Sequence, residues 1–376
     1  MNKIPLATPH MSKEGYEQQY VKEAFDTNWI APLGENVNKF EEGIAQYVGI
    51  KSAAAMSSGS AALHLALKLA GVKRGDIVFC QALTFSATIN PALYEGAVPV
   101  FIDSEEETWN MDPRALEKAF EKYPETKIVI AVNLYGNPAK LEDIKSICDK
   151  HNAVLIEDAA ESLGSTYKGK QTGTFGEYNA FSFNGNKIIT TSGGGMLVSD
   201  DEEKIAKARF WSTQSKENVP YYLHKEIGYN YRLSNICAGV GRGQLKVLDE
   251  RIAKKTAIYE MYKEALEPTN ELTMIPVPED SKPNHWLSAA IINDDKITPE
   301  YIINYLKEKN IEARRVWNPM QLQPIFAEND FIKVAEEDVS KMLFERGICL
   351  PSDTKMTEEE QRYVIEEIKR AINNTK

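Results

Sequence analysis

Short apolar runs alternate with amphipathic stretches between about residues 50 and 210. The amphipathic stretches, such as Ser60–Ala70, have the period of helices with one buried face. Asp112 followed by Pro113 marks the start of another of these helices. The apolar runs are continuous, which is typical of parallel strands covered by helices on both faces. These runs are Ala53–Met56, Ile77–Cys80, Val98–Ile102, Lys127–Val132 and Ala153–Ile156. The pattern predicts an α/β protein with a mainly parallel, helix-flanked sheet.

The alternation changes at about residue 179. Ala180–Phe183 has the pattern of a strand, and a polar turn carrying Lys187 follows it. After three consecutive glycines, Met196–Val198 has the pattern of another strand. Together with the earlier runs, these two segments predict a large sheet of the seven-stranded type.

Beyond this sheet the pattern is helical over about residues 234–265. A helix of that length is predicted to lead from one domain to another, because 376 residues exceed one ordinary domain. The predicted large domain spans residues 1–249, with an N-terminal arm. The predicted small C-terminal α/β domain spans residues 250–376.

Composition and charge narrow the class of protein. The net charge is −11, from 44 basic and 55 acidic residues, and no basic stripe suits nucleic acid. No run reaches eighteen apolar residues and the first residues have no apolar core, so we expect a cytoplasmic protein without membrane contact. The four cysteines are scattered and the five histidines lack ligand spacing, which predicts free thiols and no metal site.

A segment of small residues, Ser57–Leu63, joins a predicted strand to a predicted helix. Free N–H groups at a helix N-terminus favour a bound phosphate, and small side chains let the backbone approach it. An ordinary capped helix start has the same pattern. Gly59 and Ser60 alone therefore do not decide between the two.

Two acids, Glu157 and Asp158, end the apolar run that starts at Ala153. An acid at the carboxyl end of a strand lies where open α/β sheets bind ligands. Such a carboxylate can keep a pyridine nitrogen protonated and make the ring an electron sink. A helix-capping or solvated aspartate is the alternative.

Ser182–Lys187 places one lysine in a turn rich in Gly and Asn, and the apolar Ile188 and Ile189 follow it. An enclosed lysine suits Schiff-base chemistry, although a surface turn is the commoner place for lysine. Phe85 follows a strand at the same end of the sheet. Its ring is suited either to stacking on a planar cofactor or to ordinary core packing.

In combination, four ordered segments resemble the DegT/DnrJ/EryC1/StrS family of sugar aminotransferases. The segments are SSGSAALHLAL at 57–67, EDAAESLGS at 157–165, TGTFGEYNAFSFNGNKIITTSGGGMLV at 172–198 and GYNYRLSNICAGVGRGQL at 228–245. The run NWIAPLG at 28–34 matches as well, so the likeness covers nearly the whole chain. The resemblance implies the aspartate-aminotransferase fold type I and pyridoxal 5′-phosphate (PLP) as cofactor.

The resemblance also implies how the cofactor is bound. Lys187 matches the catalytic lysine that forms the Schiff base, and Asp158 matches the partner of the pyridine nitrogen. Phe85 matches the ring-stacking position, and Glu161 matches a polar position beside the cofactor. The positions that match phosphate contacts are Gly59, Ser60, Ser182 and, from the other subunit, Asn230. A homodimer with shared active sites is therefore expected.

A loop at the mouth of the active site and an Arg–Trp cluster are the candidates for binding the sugar substrate. Arginine forks and an aromatic plane suit a diphosphate and a uracil or sugar face. A packed Arg–Trp pair at a domain edge is the alternative. The residues assigned to the substrate are Asn28, Trp29, Ile30, Ala31, Arg314, Arg315, Trp317 and Phe326.

Within the family, NGNKIITTSGGGML and IAPLGE resemble the branch that serves UDP-N-acetylbacillosamine synthesis. That resemblance implies amino transfer, from glutamate, to C4 of UDP-4-keto-6-deoxy-N-acetylglucosamine, giving UDP-4-amino-4,6-dideoxy-N-acetylglucosamine. Many members have a glutamate where this chain has Gly194, so any role of that glutamate is unassigned here.

Three alternatives stay open. The first is an aminotransferase for another nucleotide keto-sugar, either dTDP-linked or aminated at C3. The second is a non-catalytic PLP-binding regulator, and the third is a dehydrogenase. The intact pair of Lys187 and Asp158 argues against a regulator. A nucleotide-binding dehydrogenase also fits the α/β pattern, but Ser57–Ala62 carries a single glycine and lacks the Gly-x-Gly-x-x-Gly of that class.

Overall fold

A computed structural model describes residues 3–375 of the chain. Residues 1 and 2, at the start of the predicted large domain, and residue 376, at the end of the predicted small domain, lie outside the described residues. The helices are α1 (Tyr16–Asp26), α2 (Glu35–Val48), α3 (Gly59–Leu69), α4 (Asn90–Tyr94), α5 (Pro113–Lys122), α6 (Leu141–Lys150), α7 (Glu202–Ser212), α8 (Asn235–Leu245), α9 (Leu248–Leu266), α10 (Pro299–Glu308), α11 (Val339–Arg346) and α12 (Glu358–Asn373).

The strands form three sheets. In chain order they are β1 (Ser52–Met56), β2 (Ile77–Gln81), β3 (Val98–Ile102), β4 (Ile128–Val132), β5 (Val154–Asp158), β6 (Thr166–Tyr167), β7 (Lys170–Gln171), β8 (Tyr178–Ser182), β9 (Gly195–Ser199), β10 (Leu272–Met274), β11 (Ser281–Lys282), β12 (Ser288–Ile292), β13 (Arg314–Arg315), β14 (Phe331–Ile332) and β15 (Gly347–Leu350).

The large sheet has the order β1-β9-β8-β5-β4-β2-β3-β14. Only β9 runs against its neighbours, so the sheet is mainly parallel, as the continuous apolar runs predict. It differs from the expected seven strands by one, because the two-residue strand β14 pairs with β3 at the edge.

The central strand β4 shows why these runs are continuously apolar. Ile128 and Ile130 belong to the core on the side of α3, whereas Val129 and Ala131 belong to the core on the side of α5 and α6. Successive strand residues point to opposite faces, and helices cover both faces here, so every position is buried. Asp112 caps α5 by accepting a hydrogen bond from the Arg114 N–H, as its sequence predicts.

A second, antiparallel sheet has the order β10-β12-β15-β13 and packs against α9, α10 and α12 in a core of its own. The domain boundary near residue 249 stays a prediction. Two segments, one from each predicted domain, pair with strands or loops of the other. Ile4 pairs with Ile311 beside the second sheet, and β14 returns to the large one.

The single helix predicted over residues 234–265 is wrong, because α8 and α9 are separate helices. Val247 between them has φ −114° and ψ 12°, which interrupts the helical hydrogen bonds. Within α8, a side chain at Gly241 would lie 2.6 Å from the Phe40 ring and one at Gly243 would lie 2.5 Å from the Glu17 backbone. These glycines let α1 and α2 pack tightly on α8.

Candidate active site

A cavity of about 380 Å³ opens at the carboxyl edge of the large sheet. The segments after β1, β5 and β8 meet there because these strands run in the same direction. The cavity is lined by nine residues that the sequence singled out: Gly59, Ser60, Phe85, Asp158, Glu161, Ser182, Lys187, Arg314 and Trp317.

The N-terminus of α3 forms one end of the cavity. The Ser58 hydroxyl caps the helix by accepting a hydrogen bond from the Ala61 N–H at 3.0 Å. A side chain at Gly59 would put its Cβ 3.0 Å from the Cβ of Ser182, so glycine leaves this approach open, whereas any larger residue would crowd Ser182. Exposed N–H groups, a helix dipole and two hydroxyl side chains suit a phosphate.

Asp158 lies deep in the cavity and is only 4% exposed. Its carboxylate accepts hydrogen bonds from the Thr88 hydroxyl at 2.7 Å and from the Ala160 N–H at 3.1 Å. Burial nevertheless raises the pKa of this carboxyl, while these two bonds and the charge of Lys187 act in the opposite direction. A buried carboxylate of this kind is stabilised by a cationic partner such as a protonated ring nitrogen.

The neighbouring acid, Glu157, faces the other side of the sheet. Its carboxylate accepts hydrogen bonds from the N–H groups of Gly173 at 2.6 Å and Phe175 at 3.0 Å, and from the Asn133 amide at 2.8 Å. Burial raises its pKa in spite of these bonds. Glu157 therefore serves the packing of the loop after β7, and only Asp158 faces the cavity.

Lys187 sits in the turn between β8 and β9, where its N–H donates to the Asn184 carbonyl at 3.0 Å. Its side chain is 12% exposed, and Nζ lies 3.7 Å from Oε1 of Glu161. Nζ also lies 4.0 Å from the centre of the Trp286 ring. The structure therefore places an enclosed amine beside a carboxyl group and an aromatic face.

Glu161 is fully enclosed, and its Oε2 accepts a hydrogen bond from the Tyr135 N–H at 2.6 Å. Burial raises the pKa of its carboxyl to about 7, although Lys187 and the Tyr135 N–H lower it. The nearby charge of Asp158 raises it further. This carboxyl group changes its protonation state near neutral pH.

Arg314 and Trp317 lie at the opposite wall, contributed by the second sheet and the segment after it. The Arg314 guanidinium is 3.0 Å from Oε1 of Glu312, and the arginine side chain is mostly exposed. The Trp317 ring centre is 5.4 Å from that of Phe85. The main-chain N–H of Trp317 donates to the Tyr135 hydroxyl at 3.0 Å. A cation and two aromatic rings thus border the cavity.

Of the residues assigned to the substrate, Arg315 and Phe326 are directed away from the cavity and contact other parts of the protein, which corrects their assignment. Arg315 follows Arg314 in β13 and points to the other face, where it binds Glu300 and donates to the Phe344 carbonyl at 2.8 Å. Phe326 is 1% exposed and packs against Phe101 in the core of the large sheet.

The loop Asn28, Trp29, Ile30 and Ala31 and the residue Asn230 also lie outside this cavity. All five are exposed in the single chain. The loop is fixed through Asn235, whose side chain donates to the Trp29 carbonyl at 2.7 Å and whose N–H donates to that of Ala31 at 3.0 Å.

Sequence reasoning missed several cavity residues, above all Trp286, Glu312 and Thr88. Trp286 lies in Asn284-His285-Trp286, and Thr88 in a short 3₁₀ turn, where no periodic pattern marks a site. A signal existed only for Glu312, which stands two residues before Arg314. All three residues line the cavity because folding brings distant segments of the chain close to Lys187 and Asp158.

The residues present fit PLP. The N-terminus of α3 suits its phosphate, Lys187 suits its aldehyde and Asp158 suits its ring nitrogen. Within residues 3–375, no group of three or more His, Cys, Asp or Glu residues is arranged to hold a metal ion. None of the helices in this range is both long enough and apolar enough to cross a membrane.

The sequence profile of the DegT/DnrJ/EryC1/StrS aminotransferase family matches residues 11–369. The chain belongs to this family. EpsN of Bacillus subtilis (strain 168), whose assignment as a PLP-dependent aminotransferase is provisional, is 56% identical over 371 residues, which are 97% of this chain and 94% of that protein. The GDP-perosamine synthase of Escherichia coli O157:H7 is 37% identical over 371 residues, which are 98% of either chain.

A solved structure of another sugar aminotransferase-like chain shares the fold. Spr1654 of Streptococcus pneumoniae, in its PLP form, superposes with a TM-score of 0.91 over 100% of both chains, at 24% identity. The predicted α/β fold of the PLP-dependent aminotransferases is thus confirmed. As a member of the DegT/DnrJ/EryC1/StrS family, the protein is a PLP-dependent aminotransferase that acts on nucleotide-linked keto-sugars.

The raised pKa of Glu161 predicts a pH-dependent effect of Glu161→Gln on stability. Between 4.5, the ordinary pKa, and about 7, the folded state holds a proton that the unfolded state has released, so the parent loses stability as pH rises. Glutamine carries no such penalty. We expect the cofactor-free variant to be more stable than the parent at pH 8, by about 3 kcal/mol at most, and nearly equal at pH 5. Urea unfolding at the two pH values measures this, and an equal difference at both would contradict it.

Proposed function

We propose that the protein transfers an amino group from glutamate to C4 of a nucleotide-linked 4-keto-6-deoxy sugar, with Lys187 as its catalytic residue. The observation that carries this proposal is the placement of the largely buried Lys187, Glu161 and Asp158 side chains in one cavity, beside a helix start that suits a phosphate. When bound there, PLP supplies an aldehyde and an electron-withdrawing ring. The remaining chemistry belongs to the side chains.

In this proposal Nζ of Lys187 would hold PLP through its aldehyde between turnovers. When the amino donor takes that place, the freed Nζ would move a proton at Cα of the donor. The same amine would serve both halves of the reaction. Asp158 would keep the ring nitrogen of the bound cofactor protonated, which would favour removal of the Cα proton.

We assign the cofactor phosphate to Gly59, Ser60 and Ser182, and the ring-stacking role to Phe85. The close approach of Gly59 to Ser182 supports the first assignment. The half-exposed Phe85 ring on the cavity wall supports the second. Arg314 and Trp317, at the opposite wall, are proposed to bind the diphosphate and the sugar or base.

The proposed substrate is UDP-4-keto-6-deoxy-N-acetylglucosamine. The sequence runs at 30–35 and 184–197 support it through their resemblance to the bacillosamine branch. A GDP-linked 4-keto-6-deoxy sugar is the second candidate, because a GDP-perosamine synthase is 37% identical over nearly the whole chain.

A panel of keto-sugars tests this choice. We expect the enzyme, loaded with PLP and supplied with glutamate, to convert the UDP-linked 4-keto-6-deoxy-N-acetyl sugar with the highest kcat/KM and to place the amine at C4. GDP-linked and dTDP-linked 4-keto-6-deoxy sugars serve as competitors, and mass spectrometry with NMR identifies the product. Preferential turnover of the GDP-linked sugar would favour the second candidate, and a C3 amine would refute both.

Lys187→Ala tests the catalytic assignment. The variant is expected to lose the covalent attachment of PLP and all transamination, because Nζ provides both the bond and the proton transfer. Borohydride reduction of the parent, followed by digestion and mass spectrometry, is expected to find the cofactor on Lys187. Lys170→Ala, which changes an exposed lysine, is the control and is expected to behave as the parent. Cofactor trapped on any other lysine would overturn the assignment.

We further propose a homodimer in which Asn230 of one chain completes the phosphate site of the other. Asn230 is exposed and lies outside its own chain's cavity, and the preceding loop exposes Tyr221, Tyr222 and Ile227. Exposed apolar side chains of this kind mark interfaces. Lys187→Ala and Asn230→Asp chains, each inactive alone, are then expected to recover roughly a quarter of parent activity after equal mixing and subunit exchange, since half the dimers have one intact site. A fully active monomer in light scattering would refute this.

Arg314→Ala tests the proposed sugar-binding wall, and Arg315→Ala is its matched control. Loss of one charged hydrogen bond to a diphosphate is expected to raise the KM for the sugar nucleotide roughly tenfold or more. The glutamate half-reaction is expected to change little, because glutamate carries no diphosphate. Arg315→Ala is expected to leave that KM unchanged, since its guanidinium binds Glu300 and the Phe344 carbonyl. Equal weakening of both half-reactions in the Arg314 variant would contradict the assignment.

A further inference from the structure

Trp286 lines the cavity beside Lys187, and no sequence motif singled it out. Its indole is 2% exposed, and the centre of its ring is 4.0 Å from Nζ of Lys187. A cation that lies over the face of tryptophan in a desolvated site is attracted by the negative potential of that face. The amine thus has an electrostatic partner that is not an acid.

One hydrogen bond holds this indole directly, and two more hold the main chain of Trp286. The ring N–H donates to the carbonyl of Asn186, the residue before Lys187, at 2.7 Å. The main-chain N–H of Trp286 donates to the Asn284 side chain at 2.9 Å, and the main-chain carbonyl of Trp286 accepts from Nζ of Lys255 at 2.7 Å. The ring is therefore tied directly to the turn that carries Lys187.

The anchors of Trp286 are themselves built into the site. The Asn284 amide donates to the carbonyls of Glu161 at 2.8 Å and Leu163 at 3.0 Å, so it links the main chain of Trp286 to the segment after β5. Lys255 is buried, and burial lowers its pKa to about 7. A lysine held in that environment to bind one carbonyl is a costly arrangement, which indicates that the position of Trp286 matters.

Nζ of Lys187 consequently lies close to two unlike groups. Oε1 of Glu161 is 3.7 Å away, and the centre of the Trp286 ring is 4.0 Å away. Because the Glu161 carboxyl has a pKa of about 7, it is only partly ionised at neutral pH. The aromatic face attracts the ammonium whatever the state of that carboxyl.

We propose that Trp286 is a positioning residue whose ring face holds the free ammonium of Lys187 in the cavity, within reach of the reacting atoms. This inference rests on the catalytic role proposed for Lys187. It differs from a purely structural role, because a structural role requires only an apolar side chain of similar size, whereas positioning requires the π face.

The reactivity of Lys187 toward an acylating reagent tests this in the full-length, cofactor-free protein. Acetic anhydride reacts with the neutral amine, so stabilising the ammonium slows the reaction. At neutral pH, Trp286→Leu is expected to raise the acetylation rate of Lys187, relative to the exposed Lys13, by roughly three- to thirtyfold, the range of a cation–π interaction. Trp286→Phe retains an aromatic face and is expected to stay within about threefold of the parent. Peptide mass spectrometry measures each lysine separately.

Fluorinated tryptophan provides the same test without a change of shape, in case the leucine variant does not fold. Successive fluorine atoms withdraw electron density from the ring face but keep its size and its N–H donor. Acetylation of Lys187 is expected to accelerate step by step with the number of fluorine atoms. Lys122, which lies 5.2 Å from the centre of the Tyr123 ring, is the internal control and is expected not to respond.

The loaded enzyme gives an independent readout. Trp286→Leu is expected to lower the rate constants of both half-reactions together, roughly tenfold, and to leave the KM for the sugar nucleotide unchanged, because Lys187 moves the proton in both. Trp286→Phe is expected to restore most of that loss.

Equal acetylation rates in the parent, the leucine variant and the fluorinated proteins would overturn the role of Trp286, even if borohydride still finds the cofactor on Lys187. Conversely, cofactor found on another lysine would refute the catalytic proposal and leave the acetylation differences standing. The two failures are therefore distinguishable.

Discussion

Burial of charge at one edge of an apolar sheet is the constraint on which the site depends. Asp158 and Glu161 are both almost fully buried, and burial raises the pKa of each carboxyl. Such groups are costly unless a cation or hydrogen-bond donors face them. Lys187 is the cation near both acids. The three ionisable side chains therefore lie close together in one small volume.

The sheet makes this concentration of charge possible. Parallel strands deliver the segments after β1, β5 and β8 to the same edge, so the start of α3, an acid and a lysine from distant parts of the chain meet. Strand alternation then separates neighbours: Asp158 faces the cavity while Glu157 holds the opposite loop. The same alternation separates Arg314 from Arg315 in β13.

The second sheet closes the site by aromatic contacts more than by charge. Tyr135, Trp286 and Trp317 lie within 6.4 Å of one another, ring centre to ring centre, and Phe85 touches the group through Trp317. The Trp286 ring donates a hydrogen bond to the Asn186 carbonyl, and the Tyr135 hydroxyl accepts one from the main-chain N–H of Trp317. Of these rings, Phe85, Trp286 and Trp317 line the cavity and offer flat surfaces to a planar ligand.

The sequence by itself determined the seven longer strands of the large sheet, their burial on both faces, the capped start of α5 and several of the residues at the carboxyl edge. These depend on local pattern and on chain direction, which a sequence displays. Tertiary structure alone decided which face each arginine takes, that Phe326 is core, that α8 and α9 are separate, and that Trp286 meets Lys187. Residues 186 and 286 are a hundred positions apart, and the hydrogen bond that joins them leaves no periodic trace in the sequence.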